Sequence, residues 1–184
     1  MTAHAQGIQI PGLTVKEEKD SFSLFLGPGG RWHNFEFSKS GSVFQGWSVV
    51  ADAGVLWNFS SFAGLMGGVT YSDGDWVNLA NSSDGLQSLS TQRTAVRGGL
   101  SLGPVFLGGG YTYNQFELLS FVSGDTAVTK TEWKGWSPFV QGGLRVEINK
   151  RAELRLDFNY GFGEVGDIEF TEFSGQAGLY LLFK

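Results

Sequence analysis

The chain has 184 residues, 28 of them glycine, with 15% aromatic residues and only 17% charged ones, against about 25% charged in typical globular proteins. A net charge of −5 without any Lys/Arg cluster excludes a phosphate-tracking nucleic-acid surface, and the absence of cysteine excludes disulfides and thiolate metal sites. The mean hydropathy is −0.06, but alternating faces cancel in such an average, and no run approaches the ~18 apolar residues of a membrane helix.

Residues 1–19 read as an extended lead-in with Pro11 and the charged run Lys16-Glu17-Glu18-Lys19. Ala3-His4-Ala5 before Gln6 matches an A-x-A cleavage site, so residues 1–5 are either a signal-peptide remnant or a native N-terminus. No complete signal peptide is present, and export is expected all the same. From residue 20 a period-2 alternation begins and continues to the C-terminus. One barrel domain over 20–184 is expected.

Phe22, Leu24 and Leu26 share the apolar face of the first strand. Gly27-Pro28-Gly29-Gly30 predicts a bulge or break there, because proline donates nothing to a ladder. The second strand places Trp47, Val49, Ala51, Ala53, Val55 and Trp57 together. Its two tryptophans lie about 25 Å apart along the normal of a tilted strand, the height of an outer-membrane apolar band. A third strand carries Ala63, Leu65, Gly67, Val69 and Tyr71, and residues 73–90 read as a long polar loop. The fourth strand points Val96 and Leu100 one way and Arg93 and Arg97 the other. After Gly103-Pro104, the fifth aligns Val105, Leu107, Tyr111 and Tyr113. Residues 117–134 read as a second long loop. The sixth strand sets Trp136, Val140, Leu144 and Val146 against Gln141, Arg145 and Glu147. The seventh sets Leu154, Leu156, Phe158, Tyr160 and Phe162 against Glu153, Arg155 and Asp157. Residues 163–169 read as a modest loop before the last strand.

That last strand alternates Phe173, Gly175, Ala177, Leu179, Leu181 and Phe183 with Ser174, Gln176, Gly178, Tyr180 and Leu182. Its end, Gln176-Ala177-Gly178-Leu179-Tyr180-Leu181-Leu182-Phe183, resembles the C-terminal assembly signal of bacterial outer-membrane β-barrels. Gln176, Gly178, Leu181 and Phe183 occupy its specified positions, with Lys184 added after the aromatic. About eight strands, with short connections after the second, fourth and sixth and longer ones after the third, fifth and seventh, fit an all-β, eight-stranded antiparallel up-and-down transmembrane barrel. The span from residue 20 to 183 resembles the class of small outer-membrane barrels that includes OmpA and OmpX. The resemblance implies the outer membrane as location, lipopolysaccharide and phospholipid as surroundings, and the barrel-assembly machinery as a transient partner.

The rival fold is a soluble, lipocalin-like ligand-binding barrel. The faces argue against it, because the polar face is mostly Gly, Ser, Thr and Asn, with no lysine between Phe44 and Gly124. Such a face suits a cramped lumen, not a solvated exterior. The apolar face then meets lipid, with Trp47, Trp57, Tyr71, Tyr111, Tyr113, Trp136, Tyr160 and Phe162 as interfacial aromatics. The lumen then holds Asp52, Arg93, Arg97, Arg145, Glu147, Glu153, Arg155 and Asp157. In a tube of eight strands these charges must pair, which predicts a salt-bridge plug. A narrow gated pore for small solutes or ions has a similar lining. For the sixth and seventh strands, opposite-charge pairing predicts the register Glu147–Arg155 and Arg145–Asp157.

A lipid-modifying enzyme is the remaining alternative. The only histidines are His4 and His33. With only Glu36, Ser38 and Ser40 near it in sequence, His33 reads as a rim histidine, and no catalytic activity is expected. Asp73 and Asp75 lack the further acidic ligands of a calcium loop, so neither a metal nor a cofactor is expected. A structural, adhesive or partner-binding role through loops 73–90 and 117–134 is the expected function, toward an envelope or extracellular protein.

Overall fold

The structure, a computed structural model, describes residues 21–60, 62–78, 87–121 and 128–183. The lead-in, the A-x-A site and the central parts of both expected long loops, including Asp84 and Asp125, lie outside the described residues. Eight antiparallel strands follow one another around a closed barrel. They are β1 (Ser21–Phe37), β2 (Ser42–Asn58), β3 (Ala63–Asn78), β4 (Gln87–Leu102), β5 (Val105–Phe121), β6 (Val128–Asn149), β7 (Ala152–Val165) and β8 (Ile168–Phe183). β1 closes on β8 through pairs such as Leu24–Phe183 and Phe37–Phe170. Closure removes every free edge, which a strand in hydrocarbon requires.

The alternation sorts the residues in and out. Trp47, Val49, Val69, Val96, Leu107, Val140, Phe158 and Leu181 are exposed on the outer wall. Across the band between Trp57 at one end and Trp47 and Trp136 at the other, no charged side chain points outward among the described residues except Asp73, opposite Val49 at the loop-end edge. Held in detergent, such a barrel should stay folded in sodium dodecyl sulfate until boiled and then shift in electrophoretic mobility. A monomer that stays soluble in plain buffer contradicts the membrane band.

Four sequence expectations are corrected. First, β1 runs unbroken through Gly27-Pro28, and its ladder to β2 is complete. Only the β8 side skips Gly27 and Pro28, where proline has no N–H to offer. Second, the polar stretches expected as loops are mostly strand. β3 continues to Asn78, β4 starts at Gln87, β5 reaches Phe121 and β6 starts at Val128. Their alternation has inverted. Asp73, Asp75, Gln92, Glu132 and Lys134 point outward, while Trp76, Leu89 and Phe116 point into the barrel. Beyond the lipid band the outside is water, so the polar face turns outward and the strands bury an apolar core of their own.

Third, residues 163–169 form no loop. β7 and β8 pair up to Val165–Ile168 and turn on Gly166-Asp167, with Gly166 at φ 66°. Fourth, the β6–β7 register sets Arg145 opposite Arg155 and Glu147 opposite Glu153, with a bulge between Glu147 and Asn149. Asp157 faces Gly143. The two-residue connection Lys150-Arg151 sets this register. Like charges tolerate it because Arg145 and Arg155 both pair with Glu153, while Glu147 stands exposed to solvent.

Residues 59–62, 103–104 and 150–151 connect strands at the end where β1 begins, called here the turn end. The opposite, loop end carries residues 38–41, 79–86, 122–127 and 166–167.

Candidate functional site: the filled lumen

From turn end to loop end, the inward faces stack into layers. At the turn end Phe25, Leu56, Met66, Phe106, Tyr180 and Leu182 form a buried apolar cluster. The Arg155 guanidinium lies on it, 3.8 Å from the Phe25 ring centre and 4.3 Å from that of Tyr180. Glu153 is shared by two cations. It accepts from Arg145 Nη2 at 2.7 Å and pairs with Arg155 on its own strand. Arg145 Nη1 also donates to Ser101 Oγ at 2.8 Å.

In mid-barrel Arg97 bridges two acids, pairing with Asp52 and, at 3.3 Å, with Asp157. Thr70 donates to Asp52 at 3.2 Å. Arg31 Nε donates to Gln176 at 2.9 Å, and Gln176 in turn donates to the Tyr180 hydroxyl at 2.9 Å. One level higher, both Arg93 Nη atoms grip Glu172 at 2.6 Å, a bidentate fork. Arg93 Nε donates to Asn114, which donates to Ser137, each at 2.8 Å.

His33 joins this level. A carboxylate only accepts, so Nδ1–H donates to Glu172 Oε1 at 2.7 Å, and Nε2 accepts from Ser48 Oγ at 2.7 Å. The expected rim position is therefore wrong. His33 is fully buried inside the barrel, and its partners are Ser48 and Glu172, not Glu36, Ser38 or Ser40. A hydroxyl, an imidazole and a carboxylate in this order share the spacing of a nucleophile–base–orienter set. What surrounds them is a packed interior. The Trp76 indole lies 4.8 Å from the imidazole, and Ser48 is itself buried.

Above His33 the lumen closes with aromatics. Phe35 stacks on Trp76 at 4.8 Å and meets Phe116 and Phe170 at 5.5 and 5.7 Å. Phe37, Phe44, Leu89 and Val165 complete the cluster. Trp76 lies flat because Gly46, opposite His33 in the ladder, has no Cβ to displace the indole.

Of the sequence-derived lumen residues, Asp52, Arg93, Arg97, Arg145, Glu153, Arg155 and Asp157 are buried in these layers. Glu147 is the exception. It is exposed at the turn-end rim and joins no ion pair with the buried layer among the described residues. The eight interfacial aromatics all point outward. Tyr113 is half-buried against Trp136, with ring centres 5.3 Å apart. Gln176 and Gly178 of the assembly motif face inward, while Leu181 and Phe183 face outward. Sequence reasoning missed Arg31, His33, Ser48, Glu172 and Tyr180 as lumen partners. The signal was present in β1: carrying the alternation of Phe25 through the Gly-Pro run puts Arg31 and His33 on the inner face.

Outside the lipid band, Lys130 bridges Glu132 and Glu117, both at 2.9 Å. The hydrogen bonds it donates to Glu132 and then to Glu117 hold its ammonium above the usual lysine range, and Lys130 holds Glu132 below the usual carboxylate range.

No protein-family model and no curated protein sequence matches the chain. Solved structures do. Neisserial surface protein A is 16% identical over 90% of this chain and 100% of its own, at a TM-score of 0.56. Ail of Yersinia pestis, in complex with the heparin analogue sucrose octasulfate, is 14% identical over 88% and 99%, at 0.52. The outer membrane protein AlkL, solved in lipid bilayers, is 13% identical over 97% of each chain, at 0.50. Together with the eight closed strands and the apolar outer band, these likenesses give this chain the fold of the small eight-stranded outer-membrane β-barrels.

Proposed function

We propose that this chain is an integral bacterial outer-membrane barrel whose lumen is sealed by its own side chains and which acts through its loop end as a structural or partner-binding protein. The observation that carries this reading is the lumen itself. Apolar, charged and aromatic layers follow one another from end to end, and eight strands leave only enough interior for side chains to fill. The turn end then faces the periplasm, and lipopolysaccharide and phospholipid surround the band.

The expected measurement is a planar bilayer carrying the refolded protein. Steady conductance should be absent, and a large, reproducible open channel overturns the sealed lumen. Catalysis is not part of this reading, because Ser48, His33 and Glu172 are all buried and the Trp76 indole packs on the imidazole. Lipid hydrolysis lost on His33→Ala would reverse that conclusion.

The charge of the loop end indicates the partner's chemistry. Among the described residues there, Glu36, Asp73, Asp75, Glu117, Glu132, Glu164, Asp167 and Glu169 stand against Lys39, Lys130 and Lys134. Ail was captured with a polysulfated ligand. An acid-rich rim is complementary to a basic protein surface and repels such a polyanion.

A further inference from the structure

The turn-end mouth of the lumen has the opposite sign. Among the described residues, Arg145, Lys150, Arg151 and Arg155 lie around it against Glu147 and Glu153, and the β2–β3 and β4–β5 turns carry no charge. The buried part is unbalanced by itself. Arg145 and Arg155 share the single carboxylate of Glu153, and both its oxygens are taken. In mid-barrel, by contrast, Arg31, Arg93 and Arg97 face Asp52, Asp157 and Glu172, so that level is neutral.

Arg145 is the outermost of the buried cations. Its side chain is 8% exposed, its Nε–H has no partner, and it forms part of the wall of an open cavity of about 370 Å³ at the mouth. Asn58, Ser60 and Ser101 give that wall neutral polar groups, Phe62 and the Gly103-Pro104 turn complete it, and Glu147 stands at its edge. An excess guanidinium held at the inner end of an open, polar cavity is a recognition element for an oxyanion.

We infer that this mouth binds a small oxyanionic group, a phosphate or a carboxylate, presented from the periplasmic side and held against Arg145. Glu147 opposes it from the edge and limits its affinity. The buried Glu153 orients Arg145 and is not itself a ligand. The same chemistry is offered by a free anion or by the headgroup of an anionic phospholipid, and the test separates the two.

The protein is refolded in a non-ionic detergent, and its thermal midpoint is followed while inorganic phosphate replaces sodium chloride at constant ionic strength. Phosphate should raise the midpoint by about 2–4 °C once its concentration exceeds the dissociation constant roughly fivefold, the response expected of a chain this size. Arg145→Gln should abolish the shift. It leaves Glu153 paired one-to-one with Arg155, so the buried layer stays balanced and the barrel is expected to refold. Glu147→Gln, at an exposed position, should enlarge the shift at equal phosphate. In vesicles of phosphatidylcholine with and without phosphatidylglycerol, stabilisation by phosphatidylglycerol that Arg145→Gln removes assigns the headgroup as the source. A response to free phosphate alone assigns the soluble anion. A shift that is equal in wild type and Arg145→Gln, a Glu147→Gln protein no more responsive than wild type, or no response to either source overturns the site.

Discussion

Arg97→Ala should destabilise the barrel by about 3–5 kcal/mol, the cost of removing one member of a buried ionic cluster. Arg97 is the only cation in contact with either Asp52 or Asp157 among the described ion pairs, and its loss strands two carboxylates at once. What remains is Thr70 on Asp52 and a long 3.4 Å bond from Gln141 to Asp157. Neither neutral donor replaces a guanidinium. Urea titration of the refolded protein in lipid vesicles measures the loss, with Lys39→Ala on the loop-end turn as the surface reference, expected within about 0.5 kcal/mol of wild type.

The triple variant Asp52→Asn, Arg97→Met, Asp157→Asn removes the charges together and should recover most of the stability. Recovery identifies charge, not lost volume, as the cause. If Arg97→Ala costs no more than Lys39→Ala, water reaches the middle of the lumen. The narrow-pore reading then replaces the sealed one.

Much of this arrangement was legible in the sequence, and the reason is the bilayer. Hydrocarbon on one side and a cramped polar tube on the other impose a strict period of two. That is why Leu154 to Phe162 separates cleanly from Glu153, Arg155 and Asp157. The same rule explains where the reading stopped. Beyond Tyr71 and Tyr113 the outside medium changes from lipid to water, and the sign of the alternation changes with it. Asp73 and Asp75 then resemble a turn, although Trp76 between them and Asn78 is the most deeply embedded tryptophan of the described chain. A window that seeks apolar residues outside finds loop there, and one that allows the faces to exchange finds strand.

Register was less accessible. Counting only directly opposed pairs favours Glu147 against Arg155, but a closed tube adds partners that no hairpin contains. Asp157 meets Arg97 of β4 across the interior, and Glu172 of β8 meets Arg93 of the same strand. Asp157 therefore needs no Arg145 opposite it, and the opposed Arg145 and Arg155 share Glu153 on their own hairpin. His33 was misplaced for a related reason. Its partners lie 15 and 139 residues away, so nothing near it in sequence announces them.

Gly46→Val should disturb the loop-end seal. A Cβ at this position would fall on the Trp76 indole, which occupies the space that glycine leaves open opposite His33. The indole has little room to retreat along its ring normal, because Phe35 stacks on it at an interplanar angle of 22° and the imidazole lies 4.8 Å away. Overpacking of this kind costs about 1–3 kcal/mol. The optical signature is specific, because Trp32, Trp47, Trp57 and Trp136 sit on the outer wall, Trp133 packs only partly buried against the cap, and Trp76 is the tryptophan fully buried inside it. Near-ultraviolet circular dichroism should lose the band that Trp76→Phe also removes, while the far-ultraviolet strand signal stays unchanged. Bilayer conductance should remain silent in Gly46→Val, since the Arg93–Glu172 fork and the Arg97 bridge still fill the tube beneath the cap. Steady current through Gly46→Val alone would make Trp76 the gate of an open path, and the polar layers would then be its lining instead of its plug.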